Sequence, residues 1–489
     1  MDKTTKKPGI LLAITPLVIL IALLATAVVV FGDDSTSGAA QAVLLTSAVI
    51  TACIGIFHLK IPWKEFEKSI SENISDTAPV ILILLMIGAL TATWMLSGVV
   101  PTMIYYGLKI IHPKVFIVVT FILCAMISVL AGSSWTTVGT VGIALFGAGE
   151  LIGLPAGWMA GAILSGAYLG DKLSPLSDAV NLASAISGTD LYKHTRYTVY
   201  TALPACIIAL IVFTVVGFTV PTSGNISMET HLSAIRSAFH ISPWLLLVPC
   251  FTFFLVVKKV PAALTLFASA FLGGVILFIF QPQVATQITG GHEGFRAVFH
   301  GFFHVFSSHT TIETGDEMLN QLASTRGMAG MINTIWLVIC IMTMGGCLSA
   351  GGMLTAITEF LLKKIHTTGS LVTATVCTCI VCNMVLADQY MAVLLPGRMF
   401  KDAYRKMGLA PEVLSRTLGD SATVTSVLVP WNTCAVFQSS VLGIATLAYF
   451  PFAIFCLVNP LIAIIVAFAN FKIHRIDPET GVGIATATE

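Results

Sequence analysis

Charge is what this chain lacks. Of 489 residues only 10% are Asp, Glu, Lys or Arg, while 56% are hydrophobic and the mean hydropathy is +0.92. Soluble domains carry about 25% charged residues, so a water-exposed globular body is excluded and a polytopic membrane protein is implied. The charges nearly cancel, at a net +1, with no basic arm or patch, which excludes a nucleic-acid partner. Hydrolase signatures are missing too. There is no H-E-x-x-H and no G-x-S-x-G, and Gly132-Ser133-Ser134 has no partner His at membrane depth. Neither an enzyme nor an organic cofactor is expected. The eleven cysteines are scattered; Cys377, Cys379 and Cys382 read as small polarizable residues at helix contacts. No cleavable signal peptide is expected, because the run after the basic Met1–Lys7 is long enough to span and lacks a small-residue cleavage site.

What is present is a series of apolar runs of about 20 residues, the length of a membrane span. They fall at Gly9–Phe31, Ala40–Phe57, Pro79–Gly98, Pro155–Gly170, Thr198–Val220, Ile241–Val257, Ala262–Phe280, Ile332–Gly352, Ser370–Ala387, Thr423–Leu442 and Ala445–Ala469. A charged amphipathic stretch, Lys60–Asp76, precedes the third run, and VPTMIYYGLKII after it looks interfacial. Val115–Ala131 and Val138–Gly149 flank GSSWTT. They predict a re-entrant hairpin with a Ser/Thr tip at membrane depth, two short spans being the alternative. In the polar loop Gln281–Gly327, His300 and His304 have metal-compatible i,i+4 spacing, but no third ligand is near and an interfacial cap is expected. The tail from Phe471 to Glu489 is polar, expected to be cytoplasmic and disordered.

The chain repeats itself. GVVPTMIYYGLK matches GGMLTAITEFLL, LSGAYLGD matches LSRTLGD, and Leu130-Ala131 matches Leu386-Ala387, all at an offset of about 250 residues. Basic residues mark the cytoplasmic side. Lys3, Lys6 and Lys7 place the N-terminus inside, as do Lys60, Lys64 and Lys68 for the second connection. After the first hairpin the connection GAGELIGLP carries no Lys or Arg; after the second, GRMFKDAYRKMGLAP carries four. Equivalent connections thus face opposite sides, although Lys109 and Lys114 fall against this scheme. The expectation is an all-α polytopic membrane protein of two inverted-topology repeats, residues 1–225 and 226–470, with re-entrant hairpins and broken transmembrane helices. Such repeats imply a secondary transporter with its site near the midplane.

Polar groups inside apolar runs need a reason, because a charge at the bilayer centre costs about 2.5–3.5 kcal/mol. Four places supply them. They are the first tip, Ser133–Thr137; the break from Asp171 to Asn181 around Pro175; the second tip, Asp388-Gln389; and GDSATVTSVLVPWN, from Asp420 to Asn432 around Pro430. Proline frees carbonyls, and carbonyls with hydroxyls and a carboxylate suit Na⁺. Half-helix N-termini at the tips would offer N–H groups to an anionic substrate group. Lys172 is expected beside Asp171 or Asp178, with a snorkelling interface lysine as its alternative; for Asp178 the alternative is a helix N-cap. A carboxylate that takes Na⁺ or H⁺, but not both, is the simplest exchanger.

SSWTTVGTVGIALFGAGELIGLPAGWMAGAILSGAYLGDKLSPLSDAVNLASAISGTDLYKHTR, with TATWMLSGVVPTMIYYGL and VPWNTC, resembles the NhaC-type Na⁺/H⁺ antiporter family, whose superfamily includes malate/lactate antiporters. The resemblance runs from about Thr91 to Leu442. It implies a Na⁺-coupled exchanger of the bacterial cytoplasmic (inner) membrane, with Ser133, Ser134, Asp171, Ser174, Asp178, Asn181, Asp388, Asp420, Trp431 and Asn432 at functional positions. The second tip, DQY, departs from the Ser/Asn/Thr pattern of related dicarboxylate carriers. The resulting expectation is Na⁺/H⁺ exchange by alternating access. Its Na⁺ ligands come from Asp171, Asp388, Asp420, Ser133, Ser134, Ser174 and Asn181. Substrate or proton coupling falls to Asp178, Lys172, Thr137, Gln389, Thr423, Trp431 and Asn432. The alternative is a Na⁺- or H⁺-coupled exchanger of a small organic acid or amino acid, with Trp135 and Trp431 at the site. Expected partners are membrane lipid, Na⁺ and H⁺, with a homodimer by analogy to related antiporter folds.

Overall fold

A computed structural model describes residues 8–31, 38–220, 228–292, 294–314, 319–320, 323–353, 355–357, 367–476 and 483–484. Lys3, Lys6, Lys7, most of the GDDSTSG loop and part of GGMLTAITEFLL lie outside them. Among the described residues, eight helices are long and apolar enough to cross a membrane, or up to ten if each bent pair is one span.

The first three helices are α1 (Ile10–Phe31), α2 (Ala39–Phe57) and α3 (Trp63–Leu96). The charged stretch and the third apolar run, expected as separate pieces, are one helix. Nothing between Trp63 and Leu96 breaks it except Pro79, which is accommodated inside. At 1.5 Å per residue α3 is about 51 Å long, well beyond a hydrocarbon core of about 30 Å, so its charged first turns have room outside. α4 (Val99–Ile110) follows and buries Val99, Val100 and Ile104.

Next come α5 (Phe116–Ala131), α6 (Ser134–Thr137), a π-helical turn (Val138–Gly142) and α7 (Ile143–Leu151). α8 (Ala156–Leu173) and α9 (Asp178–Ser187) are separated at Pro175, and α10 (Leu191–Thr219) returns. Then come α11 (Met228–Ala238), α12 (Leu247–Val257), α13 (Ala262–Phe280), α14 (Pro282–Thr289), α15 (Phe295–Ser307) and α16 (Ile332–Ala350). The expected span Ile241–Val257 is bent by 88° against the helix before it.

The hairpin-and-break order then recurs. α17 (Thr368–Val385) and α18 (Gln389–Lys406) flank the second tip, followed by α19 (Pro411–Leu418), a π-helical turn (Gly419–Thr423) and α20 (Thr433–Leu442). The expected span Thr423–Leu442 is therefore not one helix, since Pro430 cannot donate into a continuous ladder. Ala445–Ala469 is also divided, into α21 (Thr446–Tyr449), a 3₁₀ turn containing Pro451 and α22 (Ile454–Phe468), with an 86° bend after α20. The start of the tail is ordered, contrary to expectation. Strand β1 (Arg475–Ile476) pairs antiparallel with β2 (Gly483–Ile484), and Ala410 N–H donates to the His474 carbonyl at 3.0 Å.

The helices form two bundles. α1, α2, α3, α13 and α16 pack together; α5, α8, α9, α10, α17, α18, α19 and α22 make the other. Both tips and both breaks belong to the second bundle.

Candidate functional site

The first tip is made by a left-handed Gly132 (φ 67°) after α5 and by Ser133, whose extended backbone caps α6. Ser133 Oγ accepts from Thr136 N at 3.2 Å. A Cβ on Gly132 would meet Leu176 at 2.6 Å, so the tip is pressed against the α8–α9 break. The second tip has the same form with different residues: Ala387 at φ 53° ends the turn after α17, and Asp388 caps α18. Asp388 Oδ1 accepts from Met391 N at 2.9 Å, and Thr433 Oγ1 donates to Oδ2 at 3.5 Å. Thus at each tip one N–H expected to await an anionic substrate is already met by the protein's own capping oxygen.

Between tips and breaks lies a cavity of about 110 Å³. Ser133, Ser134, Trp135 and Thr136 line it from the first tip; Asp171, Ser177 and Asp178 from the first break; Asp388, Gln389 and Tyr390 from the second tip; Thr433 and Cys434 from α20. The opposite wall is apolar: Val80, Ile83 and Ile87 of α3, and Ala262 and Leu266 of α13. Among the described residues no Lys, Arg or His lines it. Asp171 is buried and takes a 2.8 Å hydrogen bond from Ser134 Oγ on its Oδ2. Asp178 is exposed at the first position of α9. Ser177 is the N-cap, its Oγ accepting from Val180 N, and this leaves the Asp178 carboxylate free of a capping role. Gln389 Oε1 accepts from Ser426 Oγ at 3.1 Å and from the Cys434 thiol at 2.9 Å.

The expected site divides. Asp171, Asp178, Asp388, Ser133, Ser134 and Gln389 come together; the other eight residues lie off the cavity lining. Asp171, Asp388 and Asp420 do not gather around one ion, because Asp420 is fully buried elsewhere, as the acceptor of Lys172. Lys172 donates to Asp420 and to Asn459 Oδ1, not to Asp171 or Asp178. Successive helix residues point about 100° apart, so the lysine next to a cavity aspartate faces away from the cavity. Ser174 Oγ is spent on the Val129 carbonyl at 2.7 Å and Thr137 Oγ1 on the Ser133 carbonyl at 2.9 Å. Asn181 is exposed on α9, and Thr423 sits buried in the second π turn. Trp431 Nε1 donates to the Met384 carbonyl at 2.7 Å, and Asn432 Nδ2 to Asn383 at 3.1 Å, so both staple the second break to the end of α17.

Thr136, Ser177, Thr433 and Cys434 fall inside the polar stretches and motifs singled out in the sequence but were not assigned a ligand or coupling role, and neither was Tyr390. Ser177 carries a legible signal, as a serine directly before an acidic residue after Pro175 in the N-cap pattern. Tyr390, one turn position beyond a tip, carries none. His300 and His304 stack with ring centroids 5.8 Å apart on α15, and among the described residues no three His, Cys, Asp or Glu side chains form a metal-holding group.

Two helix bundles enclosing a carboxylate-lined cavity between paired helix tips are the architecture of a multi-pass membrane transporter, and sequence relationship makes it one of the secondary antiporter class. The chain belongs to the Na⁺/H⁺ antiporter family, whose sequence profile matches residues 166–471. It is 33% identical over 411 residues to the Na⁺/H⁺ antiporter NhaC of Bacillus subtilis (strain 168), covering 84% of this chain and 88% of the relative. It is 36% identical over 416 residues to the malate-2H⁺/Na⁺-lactate antiporter of the same organism, covering 84% and 85%. The arginine/ornithine antiporter ArcD of Halobacterium salinarum (strain ATCC 700922 / JCM 11081 / NRC-1) is 33% identical over 478 residues, covering 97% and 95%.

Proposed function

We propose that the chain exchanges Na⁺ for H⁺ across the bacterial cytoplasmic membrane by alternating access, with its N-terminus inside. The observation that carries this reading is the cavity's charge pattern. Three carboxylates, Asp171, Asp178 and Asp388, reach it with hydroxyls, and among the described residues no cationic side chain does. The positive ends of the helices at the tips, which attract anions, are occupied by Ser133 and by the Asp388 carboxylate. A cation is favoured there and a free organic acid is repelled. The carboxylates do not converge on one point, so Na⁺ is held by one of them at a time with neighbouring hydroxyls, and a proton takes its place on the return.

The moving parts follow from the packing. Every polar lining group belongs to the tips, the breaks or α20, while the α3–α13 wall is apolar. We read the motion as displacement of the second bundle, which carries the tips and breaks, along the smooth α3–α13 wall of the first. The halves 1–225 and 226–470 remain our proposal for two inverted repeats, supported by the recurring hairpin-and-break order. The division of moving parts, however, runs across the repeats rather than between them.

The test is Na⁺-dependent proton movement by the full chain in proteoliposomes, with a pH-sensitive dye. Exchange that requires Na⁺ and is lost in Asp171→Asn and Asp388→Asn is the expected result. The apolar wall supports a second reading, in which an organic substrate enters with the cation. Malate, lactate, arginine and ornithine, added singly with and without Na⁺ in a thermal-shift assay, separate the two. Na⁺-dependent stabilisation by any of them favours the second.

A further inference from the structure

Asp171 and Lys172 end α8 side by side, yet they are fixed to different parts of the protein. Asp171 meets Ser134 at the cavity. Lys172, with no exposed surface, donates to Asp420 and, at 2.7 Å, to Asn459 Oδ1. Asp420 Oδ1 also accepts from Thr201 Oγ1 at 2.8 Å and from Asn459 Nδ2 at 3.1 Å, and the same amide donates to the Asp420 carbonyl at 3.1 Å. The Arg416 guanidinium lies 3.7 Å from Asp420 Oδ2 and 4.4 Å over the Tyr197 ring. This knot joins α8, α10, α22 and the second π-helical turn, and none of it lines the cavity. A buried ion pair is seldom needed for stability alone, since apolar replacements of similar volume are often neutral or better.

We infer that Asp420 is a positioning residue for cation exchange. It holds Lys172, and through Lys172 the last turn of α8, so that Asp171 stays aimed at Ser134 and the cavity. The two consecutive side chains, anchored on different faces of one turn, fix both the rotation and the height of that turn. A π-helical turn at Gly419–Thr423 supplies the offset that brings Asp420 to the lysine. The inference rests on Asp171 as a cation ligand. Failure of that reading appears in the parent chain, as exchange that ignores Na⁺, whereas failure of this inference appears only in the variants below.

The experiment compares Lys172→Gln, Asp420→Asn and the double variant as full chains in proteoliposomes. The knot holds two cations and one carboxylate, so the double variant keeps its net charge of one through Arg416, while each single variant changes it. Each single variant is expected to lose at least tenfold in rate or to fail to fold. The double variant is expected to fold and to recover a maximal rate within threefold of the parent, with half-saturating Na⁺ raised at least threefold. A single variant that exchanges like the parent overturns the inference. So does a folded double variant without exchange, which makes Asp420 itself a reacting group. A double variant that cannot fold also overturns it, by reducing the pair to a structural role. Thr201→Ala removes one donor from Asp420 without changing charge. It is expected to raise half-saturating Na⁺ at least threefold at an unaltered maximal rate, and an unaltered half-saturation overturns the inference.

Discussion

Ser134 donates its hydroxyl proton to Asp171 Oδ2 at 2.8 Å, joining the first tip to the end of α8 across 37 residues of sequence. Both side chains are buried, and a hydrogen bond to an ionised group contributes about 1.5–3 kcal/mol. Ser134→Ala is therefore expected to change half-saturating Na⁺ by about tenfold or more, each 1.4 kcal/mol being a factor of ten. Asp171→Asn is expected to abolish Na⁺-dependent proton movement. Dye-quench assays in proteoliposomes over a Na⁺ titration measure both. A Ser134→Ala titration matching the parent removes the hydroxyl from the cation site.

The order of the apolar runs was legible because a 20-residue hydrophobic window is a strong, local signal, but their number was not, since Thr423–Leu442 and Ala445–Ala469 are divided and eight to ten of the described helices can span. Both helix–tip–helix pairs were legible because GSSWTT and Asp388-Gln389 interrupt apolar arms, and both breaks because Pro175 and Pro430 do the same; the first arm of each pair is itself long enough to span. What was not legible was direction. Asp171 and Lys172 are adjacent letters, and only the helix sets them on different faces. Asp420 shares the LGD pattern of Asp171, and the pattern suggested an equivalent role, but Lys172 takes Asp420 into the interior. Polar residues of VPWN looked like ligands because each is costly in an apolar setting. The backbone claims them instead, because a broken helix exposes carbonyls that must be paired. The wall of α3 and α13 was invisible as a site, since Ile83 or Leu266 reads like any other span residue.

Ala387 holds a left-handed backbone, φ 53°, immediately before Asp388, and its carbonyl accepts from Thr433 N at 2.8 Å. Gly132 holds the matching place before Ser133. An alanine there costs about 1–2 kcal/mol, which glycine avoids at a chain-entropy cost of about 0.5–1 kcal/mol. Ala387→Gly is therefore expected to leave stability within about 1 kcal/mol of the parent. Ala387→Val, β-branched and 1% exposed before substitution, is expected to lower it by more than about 2 kcal/mol. Thermal unfolding in detergent followed by tryptophan fluorescence ranks the two.

The docked start of the tail rests on Ile473, which is 3% exposed, and on Tyr197, whose hydroxyl donates to the Lys472 carbonyl at 2.8 Å. His474 Nδ1 lies 3.0 Å from Glu412 Oε1, half-exposed, and such pairs contribute only about 0–1 kcal/mol. Removing the buried isoleucine side chain typically costs about 2–5 kcal/mol. Ile473→Ala should release the segment and open it to protease between residues 470 and 476, while His474→Ala should leave it closed. Limited proteolysis with mass spectrometry reads the difference. Equal cleavage in both variants would place the anchor on the ion pair.

α8 approaches α5 through glycine. A Cβ at Gly166 would stand 2.3 Å from the Phe121 carbonyl oxygen, and one at Gly170 would stand 2.4 Å from that of Ala125. Ser128 Oγ, between them, donates to the Ala167 carbonyl at 2.6 Å. Backbones this close have no side chain to yield, so a methyl group at Gly170 must push α8 outward. Asp171 is the next residue and would move with it, away from Ser134. Overpacking costs about 1–3 kcal/mol, and the functional loss should exceed the loss of stability, because the hydrogen bond to Ser134 fails before the helix does. Gly107 in α4 is the control, since nothing lies within 4 Å of a Cβ there. Gly107→Ala should match or exceed the parent in stability, by up to about 1 kcal/mol from helix propensity alone. Gly170→Ala should melt earlier and show at least a tenfold higher half-saturating Na⁺. If Gly170→Ala melts earlier yet keeps the parent's Na⁺ dependence, the height of α8 does not set the position of Asp171, and the close α5–α8 contact serves the fold alone.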